Sequence, residues 1–198
     1  SIPRSKVLRV AFSPLNTFVV TWERLNEETN DPNLIIWRIP SPTSPTPSVV
    51  PEIIAKFTKK AAPTVVTWPM IHWSADEKYC TRSVNDGVQI FCMNNSCSNP
   101  TFIIPHINAT AISWSPSTTR HLLGVFTVSK KGQPGAVIVY DCDLSPSPSS
   151  SPASSAVSST PKEPVELTKK SFFFEADNCC LEWNPAAAKG GPPVLLAH

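Results

Sequence analysis

Three pairs of adjacent lysines are the residues of this sequence whose chemistry best suits a ligand. They are Lys59 with Lys60, Lys130 with Lys131, and Lys169 with Lys170. Ammonium groups bind phosphate oxygens without reading base sequence, and such contacts weaken with salt because each neutralised phosphate releases counterions. The net charge of +2 is far from the strongly basic balance of a dedicated nucleic-acid binder. The lysines can therefore form a binding surface only if the fold collects them on one side.

Catalytic and metal-binding chemistry find little support in the sequence. The motifs GxSxG, HExxH and GxxxxGK[ST] are absent, so we expect no enzyme, no catalytic residue and no cofactor. His72 has no acidic partner nearby in the sequence, which favours a hydrogen-bonded histidine over a catalytic one. The six cysteines lie mostly within or beside apolar runs, without a paired CxxC, so we expect reduced thiols and no metal site. They are Cys80, Cys92, Cys97, Cys142, Cys179 and Cys180.

The elements that must position the lysines repeat along the chain. An apolar run ends in an aromatic residue four times, at Phe12, Trp73, Trp114 and Trp183. Serine or asparagine follows each aromatic residue, and proline follows in three of the four copies. Proline sets φ for a tight turn, so each copy predicts a strand, a turn and a second strand.

Two further apolar runs follow in each complete copy, which gives four strands per unit. Repeated four-stranded units are typical of β-propeller blades. We therefore predict an all-β fold, a partial β-propeller of four-stranded antiparallel blades. The blades are expected at about 6–60, 64–108 and 109–174, with the start of a fourth at 178–198. In the first strand of the first blade, Val7, Leu8 and the segment from Val10 to Phe12 should face buried neighbours.

Proline-rich segments interrupt this pattern twice. The sequence has 22 prolines against 6 glycines, and the prolines cluster in Ser41 to Pro51 and Ser145 to Pro164. These low-complexity segments hold too little apolar surface to offset the entropy of ordering, so we expect disordered insertions. The sequence has no run of eighteen apolar residues and no basic start followed by an apolar run, so we expect a cytoplasmic protein without a membrane partner.

Blade geometry predicts where the lysines lie. In an up-and-down blade, the connection between strands two and three and the one that follows strand four lie on the same face. All three lysine pairs fall on that face, and both Ser/Pro insertions fall on the opposite face. The acidic residues Glu23, Glu27, Glu28 and Asp31 share the lysine face. Exposed lysines that merely keep the loops solvated therefore remain an alternative to a nucleic-acid interface.

Particular stretches of the chain resemble a known family. The order KVLRVAFSPLNTFVVTW, PNLIIWRI, WSADEKYCTRSVNDGVQIF and KKSFFFEADNCCLEWNP is similar to the propeller of the eukaryotic translation initiation factor 2A family. The segments KSFFFEAD, EWNP and NDGVQIF carry the specific part of this resemblance. The propeller in the B subunit of initiation factor 3 has similar repeats, and the two Ser/Pro insertions depart from the factor 2A pattern.

The resemblance implies a function that composition does not. It implies association with the small ribosomal subunit and GTP-independent delivery of initiator methionyl-tRNA to mRNA-programmed ribosomes. Initiator tRNA, mRNA and other initiation factors would then be partners. It also implies further blades and a charged C-terminal region beyond this stretch. A generic WD-repeat-like scaffold for protein interactions is the alternative, because it predicts the same strands.

Overall fold

The computed structural model describes residues 6–40, 50–59, 68–94, 97, 99–105, 109–129, 134–144, 162–172, 181–189 and 195–197. The strands are β1 (Arg9–Phe12), β2 (Phe18–Trp22), β3 (Leu34–Arg38), β4 (Glu52–Phe57), β5 (His72–Trp73), β6 (Tyr79–Val84), β7 (Gly87–Cys92), β8 (Phe102–Pro105), β9 (Ala109–Trp114), β10 (Leu122–Thr127), β11 (Gly135–Asp141), β12 (Val165–Phe172), β13 (Leu181–Trp183) and β14 (Leu195–Ala197). A short 3-10 helix, Pro185–Lys189, lies between the last two strands. No helix in these ranges is long and apolar enough to cross a membrane.

The strands form sheets in the order in which they occur in the chain. β1 to β4 form the first sheet, β5 to β8 the second and β9 to β12 the third, while β13 pairs with β14. The paired strands run antiparallel. Short antiparallel connections need only a turn, which matches the turn residues between the apolar runs. This arrangement confirms the predicted all-β fold, a partial β-propeller of four-stranded antiparallel units.

The repeated aromatic residues mark the same position in each sheet. Phe12, Trp73, Trp114 and Trp183 are each the last residue of the first strand of their sheet. In the first three sheets, that strand lies at a sheet edge. The repeated aromatic residues in the sequence therefore mark the end of the first strand of each sheet.

A serine clamp explains the polar residue that follows these aromatic residues. The Oγ of Ser13 accepts a hydrogen bond from Phe18 N at 2.9 Å and donates one to Phe18 O at 3.1 Å. The Oγ of Ser74 likewise accepts a hydrogen bond from Tyr79 N at 3.0 Å, and its hydroxyl lies 3.3 Å from Tyr79 O and 2.8 Å from Asp76 Oδ1. Ser115 spans the β9–β10 turn with bonds of 3.3 and 3.0 Å. All three serines are buried, so each hydroxyl satisfies turn backbone groups that water reaches poorly.

The chain divides into two compact units. The first contains residues 1–82 and 90–100, and the second contains residues 83–89 and 101–198. In the first unit, the rings of Phe18 and Trp73 stack with centroids 5.1 Å apart. The indole Nε1 of buried Trp37 donates a 2.8 Å hydrogen bond to Thr21 Oγ1 on the neighbouring strand. In the second unit, Trp183 Nε1 donates to Ser113 O at 3.2 Å.

The first strand differs from the sequence-based expectation. Leu8, Val10 and Phe12 were expected to be buried, yet their exposed fractions are 53%, 49% and 60%. Within the described residues β1 pairs only with β2, whereas the equivalent edge strand β9, whose Trp114 is 7% exposed, also packs against β13. The apolar run identified the strand correctly but could not show which neighbours cover it.

The predicted Ser/Pro insertions lie largely outside the described residues. Only Val50, Pro51 and residues 162–164 of these two segments fall within the described ranges. Their expected disorder stays a prediction. The turn of the NDG segment is present, since β6 ends at Val84 and β7 begins at Gly87.

Candidate nucleic-acid interface

Lys59 is held in place by its backbone. It follows β4, and its N donates a 2.7 Å hydrogen bond to Asn33 Oδ1. Asn33 Nδ2 donates in return to Lys59 O at 3.0 Å and to Glu23 O at 2.8 Å. The Asn33 residue is 4% exposed, and one amide thus ties the ends of β2 and β4 to the start of β3. This arrangement fixes the main chain of Lys59 while leaving its side chain half-buried.

Acidic residues occupy the same end of the first sheet. The β2–β3 connection carries Glu23, Glu27, Glu28 and Asp31, and all but the half-buried Glu23 are exposed. The contact of Asn33 with both segments brings this connection to the end of β4. The surface around Lys59 is therefore mixed in charge, and a polyanion would meet carboxylates there as well as the ammonium group.

Lys169 and Lys170 lie inside a strand. In β12, Lys169 is opposite Ile138 of β11 and Lys170 is opposite Val137. Successive side chains of a strand point to opposite sides of the sheet, so the two ammonium groups diverge. Both residues are exposed, and no described carboxylate forms an ion pair with either. The two lysines can therefore contact two separate phosphates, but they cannot both bind the same phosphate.

The register places Lys170 towards one end of the third sheet and Lys169 opposite the middle of β11. Phe172, the last residue of β12, is opposite Gly135, the first residue of β11. Lys170 therefore lies about 7 Å along the strand from that end. The β10–β11 connection leaves β10 at Thr127 on the same end. Lys130 and Lys131 belong to this connection, but like Lys60 they lie outside the described residues.

The opposite end of the third sheet has a different charge arrangement. Arg120 Nη2 lies 3.6 Å from Asp141 Oδ2, so this cation is already paired with a carboxylate. On β12, Glu166 is opposite Tyr140, and burial, followed by the Glu166 charge, raises the pKa of that tyrosine to about 12. Of the two ends of this sheet, the one near Lys170 is the better suited to anions.

Thiol and histidine chemistry is suppressed by burial. Cys80 and Cys142 are free and fully buried, and burial raises the pKa of both thiols above the ordinary range. Burial also lowers the pKa of His72 to about 4, so this imidazole is neutral at physiological pH. The described part of the chain contains no group of three or more His, Cys, Asp or Glu that could hold a metal ion. Cys179 and Cys180 lie outside it.

Two positioning residues were missed by the sequence analysis. Asn33 follows an Asp-Pro pair, which indicates only a loop. Glu77 is 6% exposed with φ of 59°, and its Oε1 accepts a 2.6 Å hydrogen bond from Leu15 N. This carboxylate joins the β5–β6 turn to the β1–β2 turn. A glutamate at a turn ordinarily predicts an exposed side chain, so no sequence signal identifies this contact.

Curated proteins similar to this chain are translation initiation factors. Eukaryotic translation initiation factor 2A of Dictyostelium discoideum is 28% identical over 142 residues, covering 70% of this chain and 22% of that protein. The protein of the same name in Schizosaccharomyces pombe is 23% identical over 186 residues, covering 92% and 27%. The B subunit of eukaryotic translation initiation factor 3 from Emericella nidulans is 26% identical over 197 residues, covering 91% and 24%. The chain thus spans about a quarter of the length of the curated relatives it matches.

The fold has a similar solved structure. A crystal structure of a eukaryotic initiation factor superposes with a TM-score of 0.68 at 22% identity, covering 98% of this chain and 40% of that one. No protein-family model matches the chain. Together these similarities support a translation initiation factor propeller, and they do not separate factor 2A from the B subunit of factor 3.

Proposed function

We propose that this chain is the propeller portion of a cytoplasmic translation initiation factor of the factor 2A type. The observation that carries the proposal is the similarity to factor 2A proteins, which extends over 92% of the chain in one relative. The specific resemblance in KSFFFEAD, EWNP and NDGVQIF favours the same family. In the proposed role, the whole protein associates with the small ribosomal subunit and delivers initiator methionyl-tRNA without GTP. This stretch serves as a scaffold that also contacts ribosomal RNA.

The proposed RNA contact uses the lysine face. Its six candidate residues are Lys59, Lys60, Lys130, Lys131, Lys169 and Lys170. Lys169 and Lys170 support the proposal best, because both are exposed and unpaired among the described residues. Lys59 supports it less, because four carboxylates lie in the connection that Asn33 ties to it. Phosphates are the proposed partners, since neither the charge nor the spacing of these lysines reads a base edge.

The test is co-sedimentation of the full-length protein with purified small ribosomal subunits at low and moderate salt. Lys169→Glu with Lys170→Glu should weaken binding and flatten its salt dependence by roughly one unit of log slope per lost phosphate contact. The six-lysine variant should weaken binding further. The matched control, Lys162→Glu with Arg120→Glu, reverses two charges at the opposite end of the same sheet and should bind like the wild type.

The outcomes separate the parts of the proposal. Equal binding by the wild type and the six-lysine variant at both salt concentrations would exclude the lysine face as the contact. Equal loss in the control variant would indicate a general charge effect without a defined face. No association of the wild-type protein with the small ribosomal subunit would overturn the proposed function itself.

A second candidate is a propeller like that in the B subunit of initiation factor 3. It is favoured by 26% identity across 91% of the chain in one relative. This alternative predicts stable association with other initiation factor subunits in place of direct tRNA delivery. Affinity purification of the tagged full-length protein distinguishes the two, because only the second candidate should recover a stoichiometric multisubunit factor.

A further inference from the structure

The outer edge of the third sheet has an unusual combination of length and exposure. It is formed by β12, whose eight residues make it the longest strand described. Among the described residues β12 pairs only with β11, so the N–H and C=O groups on its other side have no strand partner there. Residues 165–171 are all exposed, including the apolar Val165 and Leu167 at 46% and 45%. Such an edge is a template for another strand.

Two opposite charges on this edge, Glu166 and Lys169, lie on the same side of the sheet. Glu166 is opposite Tyr140 and Lys169 is opposite Ile138, two β11 residues that are two positions apart. Partners opposite each other in an antiparallel pair point to the same side of the sheet, so Glu166 and Lys169 share one side. The cause is the register shift between Val139 and Tyr140, without which positions 166 and 169 would lie on opposite sides. The bulge thus places opposite charges together along the edge.

We propose that the outer edge of β12 pairs antiparallel with the β12 edge of a second copy of this protein. The two-fold axis passes between Leu167 and Thr168. In this register, Glu166 of each copy is opposite Lys169 of the other, which makes two cross-strand ion pairs. Val165 is opposite Lys170, whose methylene groups cover it. Both kinds of pair join side chains on the same side of the sheet, as antiparallel pairing requires.

Charge complementarity argues for a second copy as the occupant. Lysine on a sheet edge ordinarily prevents edge-to-edge pairing. Here the two-fold arrangement brings each Lys169 against a carboxylate, so self-pairing satisfies the charges that otherwise oppose association. In this register six residues of each β12, from Val165 to Lys170, lie opposite one another, which is a small interface, and we expect a weak dimer with a dissociation constant in the micromolar range or above. The proposed contact involves only β12 and its register with β11, and it is independent of the proposed function.

The test is analytical ultracentrifugation of the full-length protein at low salt from about 1 to 100 µM, a range that brackets such affinities. The wild type should show concentration-dependent dimerisation. E166K and K169E should each weaken it by about tenfold or more, because each change replaces two attractive pairs with two repulsive ones. An equimolar mixture of the two variants, and the double variant E166K/K169E, should both dimerise again.

The control variant is K162E, which changes a charge just outside the strand and should dimerise like the wild type. Circular dichroism checks that each variant retains its β content. A wild-type protein that stays monomeric up to about 100 µM overturns the proposal. So does a dimer that K169E leaves intact, or a failure of both the mixture and the double variant to recover dimerisation.

Discussion

Replacing Asn33 by alanine should destabilise the first sheet and release Lys59. The change removes three hydrogen bonds, of 2.7, 2.8 and 3.0 Å, from a residue that is 4% exposed. A net loss of about 1 kcal/mol per bond sets an upper sum of about 3 kcal/mol. Because Glu23 and Lys59 are themselves only half-buried, water can partly replace the amide. We therefore expect a loss of about 2–3 kcal/mol in the free energy of unfolding.

Two assays on the full-length protein measure this loss. The thermal midpoint should fall by about 5–10 °C if the unfolding unit is of about this chain's size. Hydrogen exchange followed by mass spectrometry should show much faster exchange in the peptide that contains the Lys59 amide, because that N–H loses its acceptor. Asn33→Asp keeps the acceptor but loses both donors, so it should protect the Lys59 amide better than Asn33→Ala does.

Asn26→Ala is the matched control on the same connection. Its side chain accepts only an exposed 3.1 Å hydrogen bond from Glu28 N, so the loss should stay below about 0.5 kcal/mol. Equal midpoints for Asn33→Ala and Asn26→Ala would refute the reasoning. Unchanged exchange at Lys59 would refute it as well, because the amide of Asn33 would then not hold that backbone.

Three further predictions concern buried polar groups. Ser74→Ala should lower the free energy of unfolding by about 1–2 kcal/mol, measured by urea denaturation, because the buried N–H of Tyr79 loses the Ser74 Oγ acceptor and Asp76 Oδ1 loses a donor. The bond from Ser74 N to Tyr79 O is part of the main chain and remains. The contribution of His72 should lower the free energy of unfolding by at most about 2.5 kcal/mol between pH 7 and pH 4.5. The reason is that the unfolded chain protonates His72 near pH 6.5, while the pKa of His72 in the folded protein is about 4. Cys80 and Cys142 should resist iodoacetamide at pH 8 in the native protein and react after denaturation, as followed by mass spectrometry.

Each of these predictions has its own control. Ser117→Ala removes solvent-exposed hydrogen bonds from Thr119 N and Arg120 N, which water can replace, and should change stability less, so an equal loss would contradict the clamp. His72→Gln should reduce the stability change between pH 7 and pH 4.5, and an unchanged pH profile would exclude His72 as its source. Alkylation of native Cys80 at the rate of a denatured control would mean that the thiol is not protected by the core.

The strands could be predicted because their signals are local. The apolar runs FVVTW and YCTRSV, each bounded by turn residues, coincide with β2 (Phe18–Trp22) and β6 (Tyr79–Val84). The exposure of β1 could not be predicted, because the burial of an edge strand depends on which other elements pack against it, as β13 does against β9. Similar apolar runs contain Val19, which is 3% exposed in a central strand, and Val10, which is 49% exposed at the edge.

The lysine surface was predicted from topology, and topology gives only the end of a sheet at which a residue lies. Side-chain direction depends on register, and the register separates Lys169 from Lys170 on the two sides of β12. It also depends on the bulge near Tyr140, which no residue pattern in β11 or β12 announces. The sequence could therefore place the charge but could not specify which ammonium groups act together.

Function and fold leave different traces in this chain because their residues are constrained differently. Ser13, Ser74 and Ser115 recur because each must bond to both a backbone N–H and a backbone C=O across a buried turn, and few other side chains do both. Exposed Lys169 forms no such bond, and the fold would tolerate most residues at its position. A lysine there can be explained by solvation of a sheet edge, by a phosphate, or by the Glu166 of a second copy. Binding measurements on reversed charges are therefore the appropriate test of the surface, and stability measurements are the appropriate test of the clamp.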